Sequence, residues 1–221
     1  MTPPIDRPGR RRRLVVLRHG LTDHNARGVW QGHLDSPLAE EGVAQAEAAV
    51  EAVASYRPDL VASSDLQRAR DTALAVLRAL PDQELRIDRR LREIHVGQWQ
   101  GLEKSDMLTR FPDAGDLLAG REDFRRGGDG ETYGELGDRM GEVVGELLEE
   151  IPDGGTLLVV THGVSARVLT GDLLGLDRAT SWGILAGLGN CHWAELGEYE
   201  DRWRLVGWNL RARFGEDAPG G

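Results

Sequence analysis

Apolar residues along this chain follow two alternating rhythms. Leu14-Val15-Val16-Leu17 is a short unbroken apolar run, the pattern of a parallel strand buried on both faces. Val43, Ala46, Val50 and Val53 then recur at helical spacing, which predicts a helix after Gly42. Leu60-Val61-Ala62-Ser63 reads as a second strand, and Leu66 to Leu80 as a helix that Pro81 ends. Leu85-Arg86-Ile87 is a short extended segment. Residues 103–130 are polar and glycine-rich with weak periodicity, and predict a short helix among mobile loops. Leu136, Met140, Val143, Leu147 and Ile151 form one stripe of a long amphipathic helix, closed by the turn Pro152-Asp153-Gly154-Gly155. Thr156 to Thr161 predicts a central strand and Val164 to Leu174 the helix after it. Trp193 to Leu196 and Trp203 to Trp208 predict a closing pair of strands.

Strands alternating with helices predict a three-layer α/β/α sandwich around a mostly parallel central sheet. No internal repeat or linker interrupts the pattern, so residues 13–214 are expected to form one domain. Residues 1–12 and 215–221 are rich in Pro, Gly and charge and read as flexible tails, with Arg10 to Arg13 as a solvated basic run.

Charge narrows the partners. The 221-residue chain carries a net charge of −10. Nucleic acid and anionic membrane both need a broad basic face, so neither is expected. A few arginines in one cleft can still hold a small anion. Cys191 is the one cysteine, which excludes an internal disulfide, fits a reducing cytosol, and makes this thiol a packing residue. No stretch is long and apolar enough to span a bilayer, and the N-terminus lacks the apolar core of a signal peptide. The expected location is the cytoplasm.

The chemistry concentrates where apolar runs stop. Leu17-Arg18-His19-Gly20-Leu21-Thr22 delivers an arginine and a histidine together at the carboxyl end of a strand. Open α/β sheets place their sites at that edge. Thr161-His162-Gly163 repeats the arrangement after another strand, while Arg68 follows Ser63-Ser64-Asp65-Leu66-Gln67 and Glu93 follows Leu91-Arg92. Phosphoryl transfer through a covalent intermediate needs a nucleophile unprotonated near neutral pH, and histidine is one. It needs planar donors matched to phosphate oxygens, which arginine supplies. It also needs a carboxyl group to protonate the leaving oxygen. His19 or His162 would attack while the other donates to the phosphate. Arg18 and Arg68 would complete the cup, Asn25 would add a neutral donor, and Glu93 would be the acid. Read singly, each residue is more often structural; the ordered set carries the argument. A zinc site from His19, His24 and His33 lacks the ligand spacing of known sites, so no metal is expected. His95 and His192 are candidates for the pocket wall, balanced against packing.

These motifs resemble the histidine phosphatase superfamily, the phosphoglycerate mutase-like proteins, from about Leu14 to about Leu210. The resemblance implies that His19 becomes phosphorylated, that Arg18, Arg68 and His162 hold the phosphate, that Glu93 donates the proton, and that no cofactor is used. Thr22, Asn25, Gln31, Gly32, His95 and Gly163 are the expected substrate-binding residues around that set. Within the superfamily the chain is most similar to the glucosyl-3-phosphoglycerate phosphatases. That similarity rests on Gln31-Gly32-His33-Leu34-Asp35, on Leu91 through Gly101, on Gly189-Asn190 and Trp193, and on Arg202-Trp203-Arg204-Leu205 with Trp208-Asn209. It implies a small phosphorylated metabolite as substrate and a homodimer. Trp99 and Gln100 are expected at the rim, and Arg121, Arg125 and Arg126 near a substrate carboxylate. Mutases of the family typically read Arg-His-Gly-Glu-Ser, where Leu21-Thr22 stands here, and carry a longer insertion after the acid motif. Hydrolysis is therefore expected over mutase action. The remaining rivals are a cofactor-dependent phosphoglycerate mutase and a non-catalytic phospho-ligand-binding module.

Overall fold

Strand β1 (Arg12–Arg18) shows why its apolar run is unbroken: all four residues Leu14 to Leu17 are fully buried. Successive side chains point to opposite faces of a strand. Leu14 and Val16 enter one core, Val15 and Leu17 the other. The structure is a computed structural model that describes residues 11–119, 123–200 and 202–212.

The chain order is β1, α1 (Asp23–Ala26), α2 (Glu40–Ala54), β2 (Leu60–Ser63), α3 (Gln67–Leu77) and β3 (Leu85–Ile87). Then come α4 (Lys104–Arg110), α5 (Ala114–Ala119), α6 (Tyr133–Glu149), β4 (Thr156–Thr161), α7 (Gly163–Leu173), α8 (Arg178–Ile184), β5 (Trp193–Tyr199) and β6 (Arg202–Leu210). The six strands lie in the order β3-β2-β4-β1-β5-β6. The first four run parallel, and β5 and β6 add an antiparallel hairpin at one edge. This is the expected mostly parallel sheet between helical layers. Alanines of α2 and α3 pack on one face, where short side chains let the helices approach closely. The stripe Leu136, Met140, Val143, Val144 and Leu147 of α6 packs with α7 on the other. A capping box between Thr132 and Glu135 starts α6.

Several local expectations change. Strand β1 begins at Arg12, so Arg12 and Arg13 are not a solvated tail. Their guanidiniums lie 3.9 Å from Glu198 and 3.2 Å from Glu195 on the neighbouring β5. Residues 1–10 and 213–221 lie outside the described residues. The stretch 103–130 holds two short helices, α4 and α5, rather than one; residues 120–122 lie outside the described residues. Helices α1 and α8 were not foreseen, because four and seven residues are too short to show a period. Thr22 and Asp177 cap them instead.

β4 inserts between β2 and β1, and the helices that follow β1 and β4 leave on opposite faces. A crevice opens at the carboxyl ends of those two strands. Arg18 pairs with Thr161 across the last rung, so the next residue of each strand is a histidine.

Candidate active site

His19 and His162 face each other at that crevice with ring centroids 5.1 Å apart and an interplanar angle of 62°. The His19 amide donates to Thr161 O at 3.0 Å, continuing the ladder one step beyond the strands. Two glycines let the backbone come close to its neighbour here. A Cβ on Gly20 would sit 2.4 Å from Gly42 O, and one on Gly42 would sit 2.0 Å from Leu21 O. The loop after His19 and the start of α2 therefore meet backbone to backbone.

The tautomer of His19 follows from its partner. Nδ1 lies 2.7 Å from Gly20 O, and a carbonyl only accepts, so Nδ1 carries the proton. Nε2 keeps its lone pair. Burial, followed by the charges of Arg18 and Arg68, holds the ring far below the ordinary histidine pKa, so it is neutral at physiological pH. His162 is lowered in the same way, by burial first and then by Arg68, His19 and Arg18. Its Nε2 lies 3.0 Å from Ser64 Oγ, while Nδ1 is buried without a partner. With the Ser64 hydroxyl donating to Nε2, the Nδ1–H becomes a free donor.

Two guanidiniums flank the pair. Arg18 donates to Leu188 O at 2.6 Å. Arg68, fully enclosed at 1 % exposure, donates to Leu34 O at 2.8 Å and Gly32 O at 2.9 Å. Carbonyls aim both groups, and neither forms an ion pair with a carboxylate among the described residues. The Nε of each is buried and unpartnered. Burial pulls both pKa values down, Arg68 to about 10, with Glu93 opposing; both stay charged at neutral pH. Gly163 makes room: a Cβ there would press within 3.3 Å of Arg18 Nε. A buried and a half-buried cation held only by neutral dipoles, beside unsatisfied donors, are a receptor for an anion.

Glu93 sits at the start of α7. Oε1 accepts from the Ile94 and Ser165 amides at 3.0 Å and lies 2.9 Å from Ser165 Oγ. Oε2 accepts only from the Val164 amide, at 3.1 Å. Three of the four contacts fall on Oε1, which leaves Oε2 as the oxygen able to take and give a proton.

A cleft of roughly 270 Å³ opens over these groups, lined by Arg18, His19, Asn25, Gln31, Arg68 and Glu93, with Gly28 and Gly32 in its wall. Asn25 Oδ1 is committed to Thr22 and Asn190, leaving its amide nitrogen to the cleft. Thr22, Gly163 and His95 stand behind the lining. Thr22 caps α1 and bonds Gln31, and His95 packs against His33 with centroids 4.9 Å apart. His192 bonds Asn209 outside the cleft. Trp99 is buried and Gln100 accepts the His33 amide, so neither forms the rim. Trp30, which no sequence motif marks, does, along with Val29, Ile94, Val96 and Val164. The arginines expected near a substrate carboxylate are occupied elsewhere. Arg126 is sandwiched between Phe124 and Tyr133 and paired with Asp123, and Arg125 bonds Glu135; Arg121 lies outside the described residues. Cys191 packs in the core, and burial pushes its thiol up to about 12.

The sequence model of the histidine phosphatase superfamily (branch 1) matches residues 14–211. The chain belongs to the histidine phosphatase superfamily. It is 40% identical to glucosyl-3-phosphoglycerate phosphatase of Mycolicibacterium vanbaalenii, over 93% of this chain and 98% of that one. A solved structure of mycobacterial glucosyl-3-phosphoglycerate phosphatase complexed with VO3 has a TM-score of 0.82, at 40% identity over 90% of this chain and 99% of that one. A second, the complex with inorganic phosphate, has a TM-score of 0.81 at 39% identity, covering 91% and 98%. Among the described residues no helix is long and apolar enough to cross a membrane, and no three His, Cys, Asp or Glu residues gather as a metal site.

Proposed function

We propose that this histidine phosphatase hydrolyses a small phosphate monoester through phosphohistidine at His19, with glucosyl-3-phosphoglycerate as its substrate. The carrying observation is the receptor itself: two guanidiniums, Arg68 buried and Arg18 half-buried, without carboxylate partners among the described residues, and the unpartnered Nδ1 of His162, grouped around a neutral histidine with a free lone pair. Phosphate docks against Arg18, Arg68 and His162, with Asn25 as a further donor. His19 Nε2 forms a bond to phosphorus as the ester P–O bond breaks, and Glu93 gives its proton to the departing oxygen. Water then attacks phosphorus, Glu93 takes the proton back, and the P–N bond breaks. The cationic cup supplies the charge stabilisation that a metal would give elsewhere.

The relatives support the substrate, and two of the solved relatives hold VO3 and phosphate. Trp30 lines the cleft wall, where an indole suits packing against a sugar ring. Arg125 and Arg126 lie away from the site, which argues against a mutase that must anchor a second acidic group. The resemblance also supports a homodimer, which light scattering tests, and the single cysteine supports a cytosolic setting. Acid-quenched enzyme fed labelled substrate should carry acid-labile phosphate, absent in His19→Ala; wild-type turnover by that variant would overturn the covalent route. In side-by-side assays kcat/KM should be higher for glucosyl-3-phosphoglycerate than for 3-phosphoglycerate or simple sugar phosphates. A preference for either of those by about tenfold would leave only the broader phosphatase reading, and an isomerised monophosphate product would indicate a mutase.

A further inference from the structure

Residues 92–96 carry Glu93 yet form no helix or strand, so something other than a backbone ladder must hold them. Side chains do. Arg90 O accepts from Arg139 at 2.7 Å, and Leu91 O accepts from Thr161 Oγ1 at 2.7 Å. Arg92 O accepts from Arg139 at 2.8 Å and has Ser165 Oγ at 2.9 Å. Glu93 O accepts from Arg139 at 2.9 Å and from His33 Nε2 at 2.8 Å. Arg139, on α6, thus binds three carbonyls, those of Arg92 and Glu93 in the segment and that of Arg90 just before it. Its two remaining N–H groups donate to Glu131 at 2.7 and 2.8 Å, so all five donors are used. Glu131 in turn accepts the His95 amide at 2.8 Å and donates its own amide to His95 O at 2.7 Å.

We propose that Arg139, oriented by Glu131, is a positioning residue that sets the reach of Glu93 toward the leaving oxygen. The inference rests on the assignment of Glu93 as the acid. Arg139 does not line the cleft, so its action passes through the 90–93 backbone. A planar fork is required, because the three donors of a lysine ammonium cannot span three carbonyls and a carboxylate. Displacement of a catalytic group by about 1 Å costs on the order of a hundredfold.

The experiment measures the burst-phase phosphorylation rate of Arg139→Lys on two substrates, an alkyl phosphate and 4-nitrophenyl phosphate, whose good leaving group needs no acid. The alkyl ester should lose about a hundredfold, the aryl ester far less, and inhibition by vanadate should be unchanged, because Arg18, Arg68 and His162 are untouched. Glu131→Gln leaves Arg139 and its three carbonyl partners in place and removes one acceptor oxygen from the group that orients the fork and takes the His95 amide. It should show the same selectivity with a smaller loss, and it decides the matter if Arg139→Lys does not fold. An equal loss on both esters, weakened vanadate inhibition, or no effect on either would overturn the positioning role. Failure of the phosphatase reading looks different: wild type would then release no phosphate from 4-nitrophenyl phosphate, or His19→Ala would match it.

Discussion

At the residue scale, function rests on which atoms are left without partners. His19 spends its Nδ1 proton on Gly20 O, which leaves the Nε2 lone pair free for the attack proposed above. Glu93 spends Oε1 on α7 and keeps Oε2. General acid catalysis contributes about 10²–10⁴-fold, so Glu93→Gln should slow phosphorylation by an alkyl phosphate within that range. 4-Nitrophenyl phosphate should lose much less in the burst phase; equal losses would remove Glu93 as the leaving-group acid. The two histidines also predict a pH dependence of stability. In the folded chain burial keeps both neutral well below the ordinary value. In the unfolded chain each binds a proton below about 6.5. The unfolded state therefore holds more protons in that window, and stability falls as pH drops below 6.5. Above it the contribution is fully present. Urea midpoints at pH 8, 6.5 and 5 read this directly, with the pH values spanning that histidine range. The double variant His19→Asn/His162→Gln should flatten the slope; an unchanged slope would assign it to other groups. Histidine and arginine at strand ends were legible because charge after a buried apolar run is conspicuous. Ser64, Ser165 and Arg139 were not, since nothing local distinguishes a serine that bonds a distant imidazole, or a serine or helix arginine that bonds a distant carbonyl.

At the element scale, the loop after β1 is held by its backbone contact with α2. Gly42→Ala places a methyl on Leu21 O. It should destabilise the protein by about 1–3 kcal/mol, the cost of overpacking, and lower kcat by shifting the His19 loop. Gly141 is the control: on α6, its added Cβ would meet nothing within 4 Å. Gly141→Ala should stabilise by about 0.4–1 kcal/mol with turnover unchanged. Denaturant midpoints and steady-state rates check both, and equal behaviour of the two variants would refute the contact argument. Long elements such as α6 were readable from period alone. In 103–130 one short helix was expected where two stand, because one or two turns give too few positions to establish a stripe.

At the scale of the whole molecule, the site exists because two strand ends meet at the crevice where β1 and β4 send their helices to opposite faces. The two guanidiniums gathered there carry the positive charge and the neutral histidines add none, so prolonged dialysis against a chelator should leave turnover unchanged; loss with recovery on one divalent ion would require a different mechanism. The sequence by itself determined the order of the strands and the longer helices and put an arginine and two histidines at the ends of β1 and β4. Periodicity and the chemistry at strand ends are short-range properties, present in any few consecutive residues. Tertiary structure alone decided that β4 lies beside β1, which presses His162 against His19. It also decided that Glu93 binds Val164, 71 residues away, that Trp30 rather than Trp99 faces the cleft, and that Arg126 stacks between rings instead of reaching for substrate. Those outcomes depend on which distant groups satisfy a buried polar atom or cover an apolar face, and no local pattern records that choice.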